Sequence, residues 1–312
     1  MGLAGLSDVP LKLILFGGKG GVGKTTCAVG AGLYLSETFH TLIISVDPAH
    51  SLSDSLGQRI GDEVQEIKGV KNLSAIELSA TKIFSAFKAR YEKQIKKIMD
   101  TSTYFDPEDI ESVLALPIPG LDETMGLKTI ADLVEEGRFE KLIVDTAPTG
   151  HALRLLTLPG MLDEWIRVMG KMRWKYRYVV TTLSGDYKPD EGDAFLVEMK
   201  RTVARIRSVL KDGKRCAFIV VTIPEEMAVR EAERMIADLK KYGIAIKQLV
   251  VNNVVPLNDH CEFCKEKREG EERHINYLRE QMGNIRITLV PRHPREVRGI
   301  DALNGFRELL FQ

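Results

Sequence analysis

Short β-branched runs, several of them apolar at nearly every position, punctuate the chain at Leu11–Phe16, Thr41–Val46, Leu73–Leu78, Lys141–Val144, Cys216–Ile223, Gln248–Asn252 and Ile285–Val290. Their length and β-branched content predict strands, and strands without a polar face must be covered on both sides. Helical patterns fill most of the intervals. This alternation predicts an α/β fold with a mainly parallel sheet and helices on both faces.

Two stretches break the rhythm. From Ala80 to Asp100, Ile83, Phe84, Phe87, Tyr91, Ile95 and Ile98 recur at spacings of three and four, which places them on one helix face. Between His151 and Leu210 the same holds for Met161, Leu162, Trp165, Ile166, Met169 and Met172, and again for Phe195, Met199, Val203, Ile206 and Leu210. Both blocks follow strands, so they read as insertions. The expected organisation is one domain over residues 8–312, with a helical subdomain formed by insertions at about 80–125 and 153–212. Asp186–Asp193 reads as an exposed loop. In Glu296–Phe311, Val297, Ile300, Leu303, Phe306 and Leu310 stand at helical spacing, which fits a helix packed on the sheet or a membrane-targeting one.

Composition narrows the choice of partner. The 312 residues hold 44% apolar residues, and Lys plus Arg equals Asp plus Glu at 44 each. No global field draws such a chain to nucleic acid or to an anionic membrane, so any binding of that kind must be local. The N-terminus lacks the basic start and apolar run of a secretory signal, and Leu6 stands where myristoylation needs Ser or Thr. No apolar stretch approaches the roughly 18 residues of a membrane span. A cytoplasmic protein without a transmembrane segment is expected.

The first strand runs into Gly17-Gly18-Lys19-Gly20-Gly21-Val22-Gly23-Lys24-Thr25-Thr26, which matches the phosphate loop GxxxxGK[ST] from Gly18 to Thr25. Glycines turn successive N–H groups onto phosphates, Lys24 neutralises the β and γ groups, and the Thr25 hydroxyl is placed for Mg²⁺. Gly18, Gly20, Gly21, Val22, Gly23, Lys24, Thr25 and Thr26 are therefore the expected nucleotide contacts. Val46-Asp47-Pro48-Ala49-His50-Ser51 and Val144-Asp145-Thr146-Ala147-Pro148-Thr149-Gly150-His151 each put an aspartate after a strand, where open α/β sheets bind ligands. Such carboxylates suit holding the waters of Mg²⁺ or orienting the attacking water.

Lys19, giving GKGGVGK, resembles the deviant phosphate loops of the MinD, nitrogenase iron protein and ArsA class. That resemblance implies a lysine that crosses a dimer interface to the partner's phosphates. GGKGGVGKTT, DPAHSLSD and DTAPTGHALRLLTLP together are similar to the ArsA/Get family of ATPases, nearest to its archaeal-type branch that targets tail-anchored proteins. The likeness continues through Pro119-Gly120-Leu121-Asp122-Glu123, Val251-Asn252-Asn253, Val290-Pro291 and Glu296-Val297-Arg298-Gly299, covering nearly the whole chain. It implies that Asp47 positions the hydrolytic water, that Asp145 senses the γ-phosphate and Mg²⁺, and that Asn252 and Pro291 belong to the nucleotide site. Ser51 and Asn253 depart from it, standing where many relatives carry Asn and Gln. It further implies a homodimer that hydrolyses ATP, shields the transmembrane segment of a tail-anchored client in an apolar groove and hands it to a membrane receptor.

Four cysteines are too few for a disulfide framework; Cys27 and Cys216 read as packing residues, whereas Cys261-Glu262-Phe263-Cys264 is polar and exposed. A lone CxxC supplies two of the four ligands of a closed zinc site. Cys261 and Cys264 from two subunits can complete it, as the resemblance implies; His260 or His274 can complete it within one chain; or the pair is a redox couple. Two other functions fit the motifs: an ATPase driving an arsenite or other anion pump, and a redox-regulated, ATP-independent holdase.

Overall fold

The computed structural model describes residues 3–8, 10–47, 51–102, 106, 108, 121–146, 149–257 and 260–312. Its eight strands are β1 (Leu13–Gly18), β2 (Thr41–Ser45), β3 (Gln65–Glu66), β4 (Leu73–Glu77), β5 (Lys141–Asp145), β6 (Cys216–Thr222), β7 (Ile246–Val254) and β8 (Arg286–Pro291). They form one sheet in the order β3-β4-β2-β5-β1-β6-β7-β8. Every pairing is parallel except β3 with β4. All seven expected strands are present. The two residues of β3, one half-buried and one exposed, are too few to leave a periodic signal.

Residues of β1 alternate between two apolar layers, as side chains on a strand must. Ile14 and Phe16 join the layer that contains α1 (Lys24–Leu35) and the last helix, α9 (Gly299–Phe311). On the other face, a Cβ on Gly17 would stand 2.5 Å from the Phe218 ring and 3.4 Å from Met235 Sδ, within α7 (Glu226–Lys241). Leu303, Phe306 and Leu310 of α9 are buried, and Phe311 stacks on Tyr34 at 3.7 Å. Of the two readings of residues 296–311, the packed helix is the one observed.

The chain divides into two compact units: Met1–Ser79 with Asp132–Leu153 and Val209–Gln312, and Ala80–Ala131 with Arg154–Ser208. The first holds the sheet. The second is built from α3 (Ala80–Ser102), most of α4 (Leu121–Glu136), α5 (Thr149–Ser184) and α6 (Glu191–Lys211). Its core joins Phe87, Tyr91, Ile95 and Ile98 of α3 to Ile166 and Met169 of α5 and to Phe195, Met199 and Val203 of α6. These residues make up most of the stripes picked out by periodicity and are this unit's own interior; Met172, Ile206 and Leu210 of those stripes are not part of the cluster. The side chains of Met161, Leu162 and Trp165 lie outside the described residues.

Asp186–Asp193 departs from the expected exposed loop. It is irregular only as far as Asp190, and Glu191 to Asp193 form the first turn of α6. Asp190 and Asp193 both pair with Arg173, which is 3% exposed, and Arg173 Nη1 also donates to Thr101 Oγ1 at 3.1 Å. A buried guanidinium must find counter-charges or forfeit several kcal/mol of solvation, about what effective penalties for buried ions reach. That requirement draws the acidic end of the loop inward.

Candidate functional site

Asp145, at the end of β5, is in register with Phe16 of β1 on one side and Ser45 of β2 on the other. Val46 N donates to the Asp145 carbonyl at 3.1 Å, so the phosphate loop, the Asp47 segment and the Asp145 segment all leave the sheet at one edge. The strand order reverses beside β1, between β5 and β6, which opens a crevice at the carboxyl ends.

Gly18 and Gly23 are fixed by geometry. A Cβ on Gly18 would lie 2.0 Å from the Val221 carbonyl oxygen. Gly23, at φ 92°, caps α1 in the left-handed region, and a Cβ there would meet Asn252 Nδ2 at 2.3 Å. The loop between them delivers Lys24 at 5% exposure, with Nζ donating to the Lys19 carbonyl at 3.3 Å. Burial pushes the Lys24 pKa down, and Asp145 and Asp47 pull it back up.

Thr25 Oγ1 donates to Asp145 Oδ2 at 2.6 Å and lies 3.2 Å from Ser51 Oγ. Asp145 is fully buried; burial pushes its pKa up to about 7 against the pull of Thr25 and Lys24. Its second oxygen, Oδ1, has no hydrogen-bond partner among the described residues. A hydroxyl beside a buried carboxylate with a spare oxygen is the hard-oxygen donor set that a partly hydrated Mg²⁺ accepts, and the site fits that ion.

A cavity of about 680 Å³ opens above this cluster. It brings together Gly20, Gly21, Gly23, Lys24, Thr25, Thr26, Asp47 and Asn252. Asp47 N donates to Ser45 Oγ at 3.2 Å, which ties it to the end of β2. Pro48, Ala49 and His50, like Ala147, Pro148, Pro119 and Gly120, lie outside the described residues. Asn252 Nδ2 donates to the Val22 carbonyl at 2.9 Å, which leaves Oδ1 without a partner among the described residues. Gly18 and Val22 shape the loop from beneath. Pro291 ends β8 outside the lining, one residue before Arg292, which is part of it. The Lys19 side chain is also outside the lining and has no ion-pair partner among the described residues.

Sequence reasoning missed several residues. Glu77, 5% exposed at the end of β4, accepts from Ser53 N at 2.9 Å and from Ser53 Oγ at 3.1 Å, and so holds α2 (Ser51–Leu56) behind Asp47. An acidic residue closing an apolar strand was the available signal. Arg292, Arg295 and Arg298 line the cavity, suiting an anionic ligand, and Arg298 Nε also donates to the Asp54 carbonyl at 3.0 Å. Their signal was a cluster of cations immediately after the last strand.

The two exposed-type thiols sit elsewhere on the sheet unit. Cys261 caps α8 (Glu262–Gln281), with Sγ accepting from Cys264 N at 3.3 Å. The Cys264 thiol and N–H hold the Cys261 pKa below the usual thiol value, and the same thiol–thiol contact pushes Cys264 up. No group of three metal-ligating side chains occurs among the described residues. His274 faces Glu226 at 3.7 Å and is ten residues along α8 from Cys264, about 15 Å at helical rise. Among the described residues, neither histidine stands with the two thiols in such a group. Cys27 and Cys216 are buried, and burial pushes both thiols up, Cys216 to about 12.

Sequence comparison places these features in a family. The profile of the anion-transporting ATPases (ArsA) matches residues 11–312. The chain is 32% identical to ATPase ASNA1 homolog 1 of Paramecium tetraurelia, over 98% of this chain and 94% of that protein. It is also 32% identical to ATPase get3 of Schizosaccharomyces japonicus (98% and 94%) and to the ATPase ASNA1 homolog of Dictyostelium discoideum (98% and 92%). A phosphate loop with its acidic partners at the sheet's crevice, within a match that spans the chain, leads to one conclusion: the protein belongs to the ArsA family of anion-transporting ATPases, and the nucleotide it hydrolyses is ATP.

Proposed function

We propose that this ATPase is a cytoplasmic, homodimeric targeting factor that shields the transmembrane segment of tail-anchored proteins and delivers them to a membrane receptor. The observation that carries the reading is the end-to-end match, 98% of this chain against 94% of ATPase get3. The helical unit, inserted in the sheet unit, is the client-holding part. Among the described residues, no helix is long and apolar enough to cross a membrane, so the membrane segment in question belongs to the client.

In this reading Lys24 and the loop from Gly18 to Thr26 hold the phosphates. Thr25 and Asp145 would hold Mg²⁺, which would supply positive charge to the triphosphate. Asp47 orients the attacking water, and Lys19 reaches the phosphates of the partner subunit. Asn252 takes the adenine on its spare oxygen, beside Pro291. Hydrolysis followed by phosphate release withdraws the charge that holds Lys19 across the interface, and the two subunits part. Cys261 and Cys264 of each subunit would together hold one Zn²⁺, which would supply a fixed hinge.

Co-expression with a tail-anchored protein is expected to yield a soluble complex that disperses on ATP hydrolysis. Client left insoluble, together with an ATPase rate stimulated by arsenite, would transfer the protein to the anion-pump reading. Against that reading, Cys27 and Cys216 are buried, so no third accessible thiol among the four cysteines joins the CxxC. For the metal site, Cys261→Ser is expected to lose zinc and shift sedimentation from dimer towards monomer. Zinc loss with an unchanged dimer would defeat the intersubunit assignment. An ATP-independent holdase instead predicts client protection that rises on oxidation without nucleotide.

A further inference from the structure

We propose that the exposed face of the second half of α5 docks on an anionic lipid surface. Residues 165–185 carry Arg167, Lys171, Arg173, Lys175 and Arg177 and no acidic residue, within a chain whose formal net charge is zero. Arg173 turns inward to Asp190 and Asp193, whereas the other four cations are exposed. Between them stand Trp174 and Tyr178, 66% and 64% exposed and stacked at 6.0 Å.

Arg167, Lys171, Trp174 and Tyr178 follow at intervals of four, three and four residues, which sets them in one row along the helix. Lys175, Val168 and Val179 flank the row, and the opposite side of α5 buries Ile166, Met169 and Arg173. Arg167 lies 3.7 Å from Asp163, and Arg177 stands over the Tyr187 ring. Lys171 and Lys175 make no ion pair among the described residues. Arg167, Lys171 and Lys175 repeat at i, i+4, an arrangement of like charges that repel and that an anionic surface would relieve.

Chemistry selects the occupant. A second copy would bring the same cations against these, and an apolar segment alone would bury them without counter-charge. A headgroup layer supplies anions for the lysines, an interface for indole and phenol rings, and hydrocarbon for the flanking Val168 and Val179. The helix would lie on the surface, since it is not apolar enough to span.

Flotation of the full chain with vesicles tests the proposal. Binding is expected to phosphatidylcholine mixed with phosphatidylglycerol, to weaken with added salt, and to be absent with phosphatidylcholine alone. Each basic residue near such a surface contributes roughly a factor of five to partitioning, so Lys171→Gln with Lys175→Gln should lower it about 25-fold. The basal ATPase rate of that variant should stay at the wild-type value. In the wild-type chain, brominated phosphatidylglycerol should quench tryptophan emission, and Trp174→Ala should remove the quenched fraction. Equal binding to both vesicles, wild-type partitioning by the double variant, no quenching, or displacement by a single-stranded oligonucleotide would each overturn it, the last in favour of nucleic acid.

Discussion

Asp47→Asn is expected to retain ATP and to lose turnover by about a hundred- to ten-thousand-fold, the range that removal of a proton-accepting or water-orienting group covers. Asparagine preserves shape and keeps the backbone N–H bond to Ser45 Oγ, so the end of β2 should not move. The substitution removes a negative charge that faces the cavity and holds the Lys24 pKa up. Because that charge repels the γ-phosphate, nucleotide affinity should hold or rise. Steady-state phosphate release and binding of a fluorescent ATP analogue separate the two quantities. Wild-type turnover would remove Asp47 from the reaction, and lost binding would make its role one of folding the loop that follows.

Lys19→Ala is expected to lower hydrolysis on the order of a thousandfold, the lower end of what a cation supplied in trans contributes to phosphoryl transfer. The geometry makes this substitution unusually clean. Lys24 is anchored through the carbonyl of Lys19, which alanine retains, while the Lys19 side chain is outside the lining of its own cavity. A fall in rate therefore reports on what the ammonium does beyond its own chain. Turnover per chain should rise with protein concentration in the wild type and stay low and flat in the variant. A variant as fast as wild type, or a wild-type rate independent of concentration, would leave the lysine idle or acting in cis.

The parallel sheet was legible because its strands are apolar on both faces, a pattern with few other causes, and β3 was not because two residues carry no period. The phosphate loop was equally plain. Gly18 and Gly23 are demanded by neighbours as distant in sequence as Val221 and Asn252, so the motif records contacts that the rest of the chain must make. Glu77 was hidden because its importance lies in accepting from Ser53, a pairing across the sheet edge that no local pattern encodes. Periodicity found the helices of the second unit and their buried faces, but it marks interior and binding surface alike. Trp174 and Tyr178 stand outside those stripes and emerged only once the burial of Ile166 and Met169 had fixed which side of α5 faces out. The pull of Arg173 on Asp190 and Asp193 was invisible for the same reason, since a sequence does not say which cation is inside.

The burial of Cys27 and Cys216 has a consequence for how the protein meets its chemical surroundings. A thiol reagent arriving from solvent finds its target, among the four cysteines, at Cys261 and Cys264, far from the phosphates in sequence and at the start of another helix. Thiol stress is thereby steered to a single address, and the fuel chamber beside Cys27 is left out of reach.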